Sequence, residues 1–450
     1  MNSQPENAAR TECPDPASHD PHDEFVFLAT SDIAARTKGR SMRLADFGPT
    51  SSVGWVPANM GIGSLGHIVE GIPYGASGDL RLVPDHSSLR RVEGVPGRPP
   101  LNIVFCDLVN TDGSPWESCP RTFLKNVVAD LESEFGITVK SAFEHEFQEF
   151  DVQAEPHPFS LTEFRRAEPM GSTLVTVLER AGLVPETWLA EYGRHQYEVT
   201  VAPCDPVGAA DRAILVRDIV EDVYNACGRK VTFTPMLTPG GSGNGVHVHV
   251  GLRDANGETL IYDADRPGRI SELAGSFAAG IVRHSPAFTA LFAPLMVSYL
   301  RLAPHNWSVA RAFLGVQNRE ALLRICPTNE IGGRDPAPQV HFEFRGGDVG
   351  ANPWLLLGVI LRAGLQGLRE GLPTPQIVEG EIDLEGAHRD LADLPRSLRE
   401  AVEAFVSDEV VSGWFHPNFV KTFEKVKLAE CEQLARSSDQ EQCDLYARIY

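Results

Sequence analysis

Long apolar runs are what this chain of 450 residues most plainly lacks. No stretch approaches the roughly 18–20 apolar residues that a membrane-crossing helix needs, which excludes a partner membrane of that kind. The opening MNSQPENAARTECPDPASHDPHDE has neither a basic start nor an apolar segment, so it does not read as a secretion signal. A disordered tail over residues 1–24 and a cytoplasmic location are the expectations. Positive charge is scarce too: 40 Lys and Arg stand against 61 Asp and Glu, a formal net charge of −21. That balance excludes a nucleic-acid partner held by a basic face. The eight cysteines (13, 106, 119, 204, 227, 326, 431 and 443) form no C-x-x-C pair. Buried or free thiols are therefore expected, rather than a disulfide framework or a zinc site. Internal repeats, low-complexity runs and a phosphate-cradling G-x-x-x-x-G-K-[ST] loop are also missing.

What is present suffices for one large or two medium domains with a real core, since 42% of the residues are hydrophobic. Residues 25–115 read as a small strand-rich unit: FVFLAT, SSVGWV, DLRLVPD and LNIVFCDLV are short apolar segments punctuated by Gly, Pro and Asp. Residues 116–450 read as an α+β mixture. Pro120 opens a helix that Gly136 closes, and AADRAILVRDIVEDVYNACG has a helical period. RISELAGSFAAGIVRH and NPWLLLGVILRAGLQGLREG are further helices, while ITVKSAFEHEFQEFDV, YEVTVAP, GVHVHVGLRD, ALLRIC and VHFEFRGGD read as strands. Helices are expected to cover one side.

The strands carry the chemistry. In FEHEFQEF, residues 143–150, alternation puts Glu144, Glu146 and Gln148 on one face and Phe143, His145 and Phe147 on the other. Two carboxylates about 6–7 Å apart on one strand face repel unless a cation neutralises them, and Mg²⁺ takes such hard oxygen ligands. An exposed strand whose acids face water is the plainer alternative. Against it, the pattern recurs: Glu191 and Glu198 flank EYGRHQYE, His247 and His249 share a face behind the loop GGSGNG, and His341, Glu343 and Arg345 share a face in VHFEFRGGD. Each taken singly has an ordinary structural explanation, but burying all of them unpaired would cost several kcal/mol per charge. Convergence on metal ions and an anionic substrate follows. Arg301, Arg319, Arg324 and Arg345 lie near Glu343 in sequence, and arginine clamps carboxylate or phosphate bidentately. Metals with an arginine cluster point to phosphoryl transfer.

In order, the motifs E-x-E-F, E…Q-Y-E, G-S-G-N-G-V-H-V-H, S-Y-x-R-L, N-R-x-A-x-x-R-I and E-F-R…A-N-P-W-L resemble those of the glutamine synthetase superfamily, over roughly residues 25–450. The resemblance implies a β-grasp domain at 25–115 and a catalytic domain with a curved antiparallel sheet at 116–450. It also implies a homo-oligomeric ring, usually a dodecamer, with active sites at subunit junctions. Glu146, Glu191 and Glu198 resemble the ligands of one Mg²⁺ or Mn²⁺ ion, and Glu144, His247 and Glu343 those of a second. His249 and Arg324 resemble residues beside ATP. Gly243, Arg301 and Arg345 resemble the glutamate site, although SGNG departs from the family's usual NGSG. Arg319, Arg324 and Arg345 resemble the groups that stabilise the transferring phosphoryl. The implied reaction phosphorylates the γ-carboxylate of glutamate with ATP and lets an amine displace phosphate.

The departures concern the amine. The family's Asp-Gly-Ser-Ser, whose acid helps to bind and deprotonate ammonium, aligns with GPTSSVGW, where Pro49 replaces the acid. The flap Gly-Tyr-Glu-Ala-Pro aligns with APHNWSVAR, where Trp307 replaces the glutamate. A site for a cationic nucleophile needs negative charge and a base, so their loss implies an amine other than ammonia. An aryl or small alkyl monoamine suits Trp307 better than a polyamine does. Ala392 of LADLP stands where the family's adenylylated tyrosine would be, which argues against that regulation. The competing readings are glutamine synthetase using ammonia, a catalytically dead paralogue, and an ATP:guanidino phosphotransferase. The dead paralogue predicts decay of the metal set, and the phosphotransferase leaves the segment 25–115 unexplained.

Overall fold

The computed structural model describes residues 24–303, 311–383 and 385–450. All of the expected tail except Glu24, and the flap residue Trp307, lie outside the described residues.

The N-terminal part is a six-stranded mixed sheet of β1 (Phe25–Ser31), β2 (Thr37–Arg43), β3 (Val53–Trp55), β4 (Leu80–Pro84), β5 (Arg90–Val92) and β6 (Leu101–Asn110). Its order is β2-β1-β6-β4-β3, with β5 also paired to β6. Only the central β1–β6 pair is parallel. β2, TKGRSMR, escapes a pattern reading because it is an edge strand with no buried residue. β5 is only three residues long.

The larger part is built on a nine-stranded sheet. Its strands are β7 (Thr138–Glu149), β8 (Pro185–Ala190), β9 (Gln196–Val201), β10 (Val231–Thr232), β11 (Val246–Arg253), β13 (Leu314–Val316), β14 (Leu323–Ile325), β15 (Phe342–Phe344) and β16 (Ile377–Glu379); β12 (Arg311–Ala312) and β17 (Ala392–Asp393) pair separately. The order is β16-β13-β14-β15-β11-β7-β9-β8, with β10 on β7. The central pairs β14–β15, β15–β11, β11–β7 and β7–β9 are all antiparallel.

Burial follows alternation. Phe143, Phe147, Val248, Val250, Phe342 and Phe344 are almost fully buried. The helices that cover the sheet start and stop where their capping chemistry dictates. Asp205 caps Pro206–Ala226 by accepting from the Gly208 N–H, and Asn352 caps Pro353–Glu370 by accepting from the Trp354 and Leu355 N–H groups. Gly136 and Gly371 close their helices in the left-handed conformation, at φ 65° and 58°. Asp205 and Asn352 each stand directly before a proline, whose fixed φ suits the first helical position; the first of these helices begins three residues before the expected Ala209. The C-terminal helices, among them Leu398–Ser407, Pro417–Gln433 and Asp439–Ile449, complete this part. The two parts are joined by buried polar links. Arg121 pairs with Asp85, Asp107 and Asp211, and Asn352 Nδ2 donates to the Ser31 and Asp32 carbonyls at 3.1 and 3.0 Å.

Candidate active site

Strands β9, β7, β11, β15 and β14 are consecutive neighbours, so residues far apart in sequence become cross-strand partners. The register sets Glu146 opposite Glu198 and Glu144 opposite His247. It sets Glu343 opposite both His249 and Arg324. Side chains follow the backbone. His247 Nδ1 lies 3.0 Å from Glu144 Oε2 and 3.6 Å from Glu343 Oε1, and His249 Nε2 lies 2.9 Å from Glu144 Oε1. One ligand atom each from Glu144, Glu198 and His247 gather within 4.8 Å of one another, and so do those from Glu144, His249 and Glu343. Glu146 sits beside this group, accepting from the Gly245 N–H at 2.6 Å. Glu191 lies one residue past β8 and accepts from the Tyr192 N–H at 3.1 Å.

So many acids on one face cannot all be charged. Burial, reinforced by Glu144, Glu146, Glu191 and Glu343, pushes the Glu198 carboxyl up to about 9. Burial and Glu146 raise Glu191 as well. Glu343 goes the other way: burial opposes its charge, but Arg345 and His247 hold it down at about 2. A face on which one carboxyl must keep its proton fits divalent cations, which would replace that proton and take oxygen and imidazole ligands.

Two of the four arginines join this face at Glu343, and a third lies buried beneath the Gly243 loop. Arg324 Nη1 bonds Glu343 Oε2 at 2.8 Å, and Arg345 Nη1 bonds Glu343 Oε1. Arg345 Nε also donates to the Arg319 carbonyl at 2.8 Å. Arg301, 3% exposed, donates to the carbonyls of Gly346 at 2.5 Å and Gly347 at 3.0 Å. Arg319 itself is exposed, on the turn between β13 and β14, and its charge is felt by Glu191.

The Gly-rich loop explains itself in space. A Cβ on Gly243 would stand 2.5 Å from Arg301 Cγ and 2.9 Å from the Pro235 oxygen. One on Gly245 would stand 2.8 Å from His247 Nε2. Between them, Asn244 donates to the Thr234 carbonyl at 2.9 Å, while Gln196 Nε2 reaches both the Gly243 carbonyl and Asn244 Oδ1, at 2.8 and 2.9 Å. Gln196, Asn244 and Gly245 are thus positioning residues that sequence reasoning missed. The contacts of Gln196 with Gly243 and Asn244, and of Gly245 with Glu146, span 47 to 99 positions, beyond any local pattern.

A cavity of about 450 Å³ opens beside the acids, lined among others by Lys140, Glu144, Glu198, His249, Arg253 and His341. A larger concavity of about 660 Å³, lined by Arg36, Glu221, Lys230 and Tyr450, contains none of the anticipated site residues. The smaller one adjoins the acid face. Pro49 stands on an exposed turn of the N-terminal part.

Comparison with known proteins decides the lineage. Residues 117–446 match the model of the glutamine synthetase catalytic domain, and residues 15–116 that of the glutamine synthetase N-terminal domain. The chain belongs to the glutamine synthetase family.

Among its relatives, a gamma-glutamylpolyamine synthetase of Streptomyces coelicolor is 33% identical over 366 residues, 78% of this chain and 77% of that protein. A glutamate–isopropylamine ligase of a Pseudomonas species is 27% identical, over 82% of each chain. A crystal structure described as a novel glutamine synthase homolog superposes with a TM-score of 0.88 at 39% identity, covering 95% of this chain and 99% of that one. The protein is accordingly a ligase of the glutamine synthetase family, whose members normally use ATP and divalent metals. No helix among the described residues is long and apolar enough to cross a membrane.

Proposed function

We propose that this protein uses ATP to join the γ-carboxylate of glutamate to an amine other than ammonia, through γ-glutamyl phosphate. The observation that carries the ligase chemistry is the cross-strand acid face, where Glu198 faces Glu146 beside Glu144, His247 and Glu343. In this reading Glu146, Glu191 and Glu198 hold one divalent cation, and Glu144, His247 and Glu343 a second, Mg²⁺ or Mn²⁺. Bound there, the cations neutralise phosphate oxygens during transfer. His249 and Arg324 contact ATP from the cavity side. Arg301, Gly243 and Arg345 hold glutamate, with the buried Arg301 fork turned to its α-carboxylate. Arg319, Arg324 and Arg345 stabilise the transferring phosphoryl group.

The amine assignment rests on the nucleophile's surroundings. Pro49 and Trp307 stand where an acid would hold and deprotonate ammonium. The names of two relatives point the same way, one acting on polyamines and the other on isopropylamine. Between those classes, Trp307 favours an aryl or small alkyl monoamine, which loses less on desolvation than a multiply charged chain. The two-part organisation, 25–115 and 116–450, and a homo-oligomer with sites at subunit junctions, a dodecamer in family terms, complete the reading. Exposed Phe159 and Tyr192, their rings 6.4 Å apart beside Glu191, offer an apolar rim for a neighbouring subunit.

Phosphate release from ATP, glutamate and Mg²⁺ is the test, with ammonium, spermidine, ethanolamine, isopropylamine and aniline compared. The reading predicts the highest kcat/KM with a monoamine. A clear preference for ammonium would instead establish an ordinary glutamine synthetase.

A further inference from the structure

Cys326 ends β14's extension, His341 precedes β15, and His249 lies on β11 between that strand and the acids. Each imidazole turns one nitrogen towards an oxygen. His341 Nδ1 is 2.7 Å from the Gln339 carbonyl oxygen, which can only accept. Nδ1 therefore carries a hydrogen. His249 Nε2 faces Glu144 Oε1 at 2.9 Å, an ion-pair approach poorly aligned as a hydrogen bond. A carboxylate oxygen at that distance favours N–H on Nε2. The two remaining nitrogens, His341 Nε2 and His249 Nδ1, face each other at 3.0 Å.

Two imidazole nitrogens so placed share either a proton or a metal ion. The third member of the group supplies a reason to expect a metal there. One ligand atom each from His249, Cys326 and His341 lie within 4.8 Å of one another, and Cys326 is 7% exposed. We propose that His249 Nδ1, His341 Nε2 and Cys326 Sγ form a binding site for a thiophilic divalent cation of the Zn²⁺ class, separate in ligand chemistry from the carboxylate face.

One sulfur and two imidazoles suit Zn²⁺ or Co²⁺ and do not suit Mg²⁺, which demands oxygen. The outer contacts, Gln339 O on His341 and Glu144 on His249, are those that orient ligating histidines. Three protein ligands leave a coordination position open, and His249 and His341 both line the 450 Å³ cavity, so that position faces it. Binding releases the Cys326 thiol proton to solvent. Glu343 Oε2, 3.7 Å from Sγ, marks where this soft site adjoins the acids.

Co²⁺ is the direct probe. The full chain, reduced and kept in excess Mg²⁺, is titrated with Co²⁺ and the sulfur-to-cobalt charge-transfer absorption recorded. The expected result is such a band saturating at one ion per chain, displaced by Zn²⁺, lost in Cys326→Ser, and reached only at higher Co²⁺ in His341→Gln. The His341→Gln protein keeps its thiol and serves where Cys326→Ser does not fold. No band in the native chain, or a band that survives Cys326→Ser or is unmoved by His341→Gln, overturns the proposal.

Discussion

Glu146 and Glu198 stand directly opposite each other on the adjacent antiparallel strands β7 and β9 of the nine-stranded sheet. Like charges in register are destabilising by roughly 0.2–1 kcal/mol even at exposed sites. Here the strain is relieved on Glu198, which burial and its acidic neighbours keep protonated up to about 9. A chain that tolerates this pair gains by binding a cation.

Replacing Glu198 by Gln is therefore expected to separate stability from function. The metal-free variant should be at least as stable as the native chain, by up to about 1 kcal/mol. Its stabilisation by Mg²⁺ should shrink or vanish, with activity lost. Thermal unfolding with and without Mg²⁺ reads both effects. Native-like stabilisation by Mg²⁺ in the variant would remove Glu198 from the metal set.

Arg301→Lys tests the substrate clamp. Lysine keeps the charge but loses the planar fork, so KM for glutamate should rise at least ~10-fold, about 1.4 kcal/mol, with KM for ATP little changed. Steady-state kinetics with each substrate varied in turn give the answer. Equal rises for both substrates would contradict the assignment.

Gly245→Ala should act through geometry alone. The added methyl would meet His247 Nε2 at 2.8 Å and Glu146 Oε2 at 3.4 Å. Mg²⁺ affinity is expected to fall roughly 10–100-fold, as when a ligand's supporting contact is lost. Isothermal titration with Mg²⁺ and ATP would show it, while circular dichroism should stay unchanged.

Acid sensitivity has a definite source away from the metal face. Burial alone would raise Glu163, yet Arg166, Tyr197 and His195 bond it at 2.8, 2.7 and 2.8 Å and hold it at about 2. A carboxyl depressed from 4.5 stabilises the fold above that pH and loses this contribution as the pH falls towards 2. The amount is on the order of 3 kcal/mol. Glu163→Gln should lower stability at neutral pH and flatten its fall between pH 5 and about 2, as urea midpoints across that range would reveal.

Much of this architecture is legible because strands alternate and helices are capped. FEHEFQEF reveals its two faces by spacing alone, and Pro120 and Gly136 bracket a helix. β2 carries no such signal, being an edge strand without a buried residue. The contacts that aim the site are long-range, as when Gln196 bonds Gly243 across 47 positions. Cys326 illustrates the limit most sharply. As a lone cysteine it reads as an inert thiol, and only the pairing of β14, β15 and β11 brings His249 and His341 to it.

The central claim is that these residues activate a carboxylate as an acyl phosphate before an amine attacks. It is tested most directly with glutamate carrying ¹⁸O in its γ-carboxylate, turned over with ATP, Mg²⁺ and the preferred amine. The account predicts one ¹⁸O in each phosphate released, because the amine expels the carboxylate oxygen as part of phosphate. Unlabelled phosphate alongside amide product would contradict it.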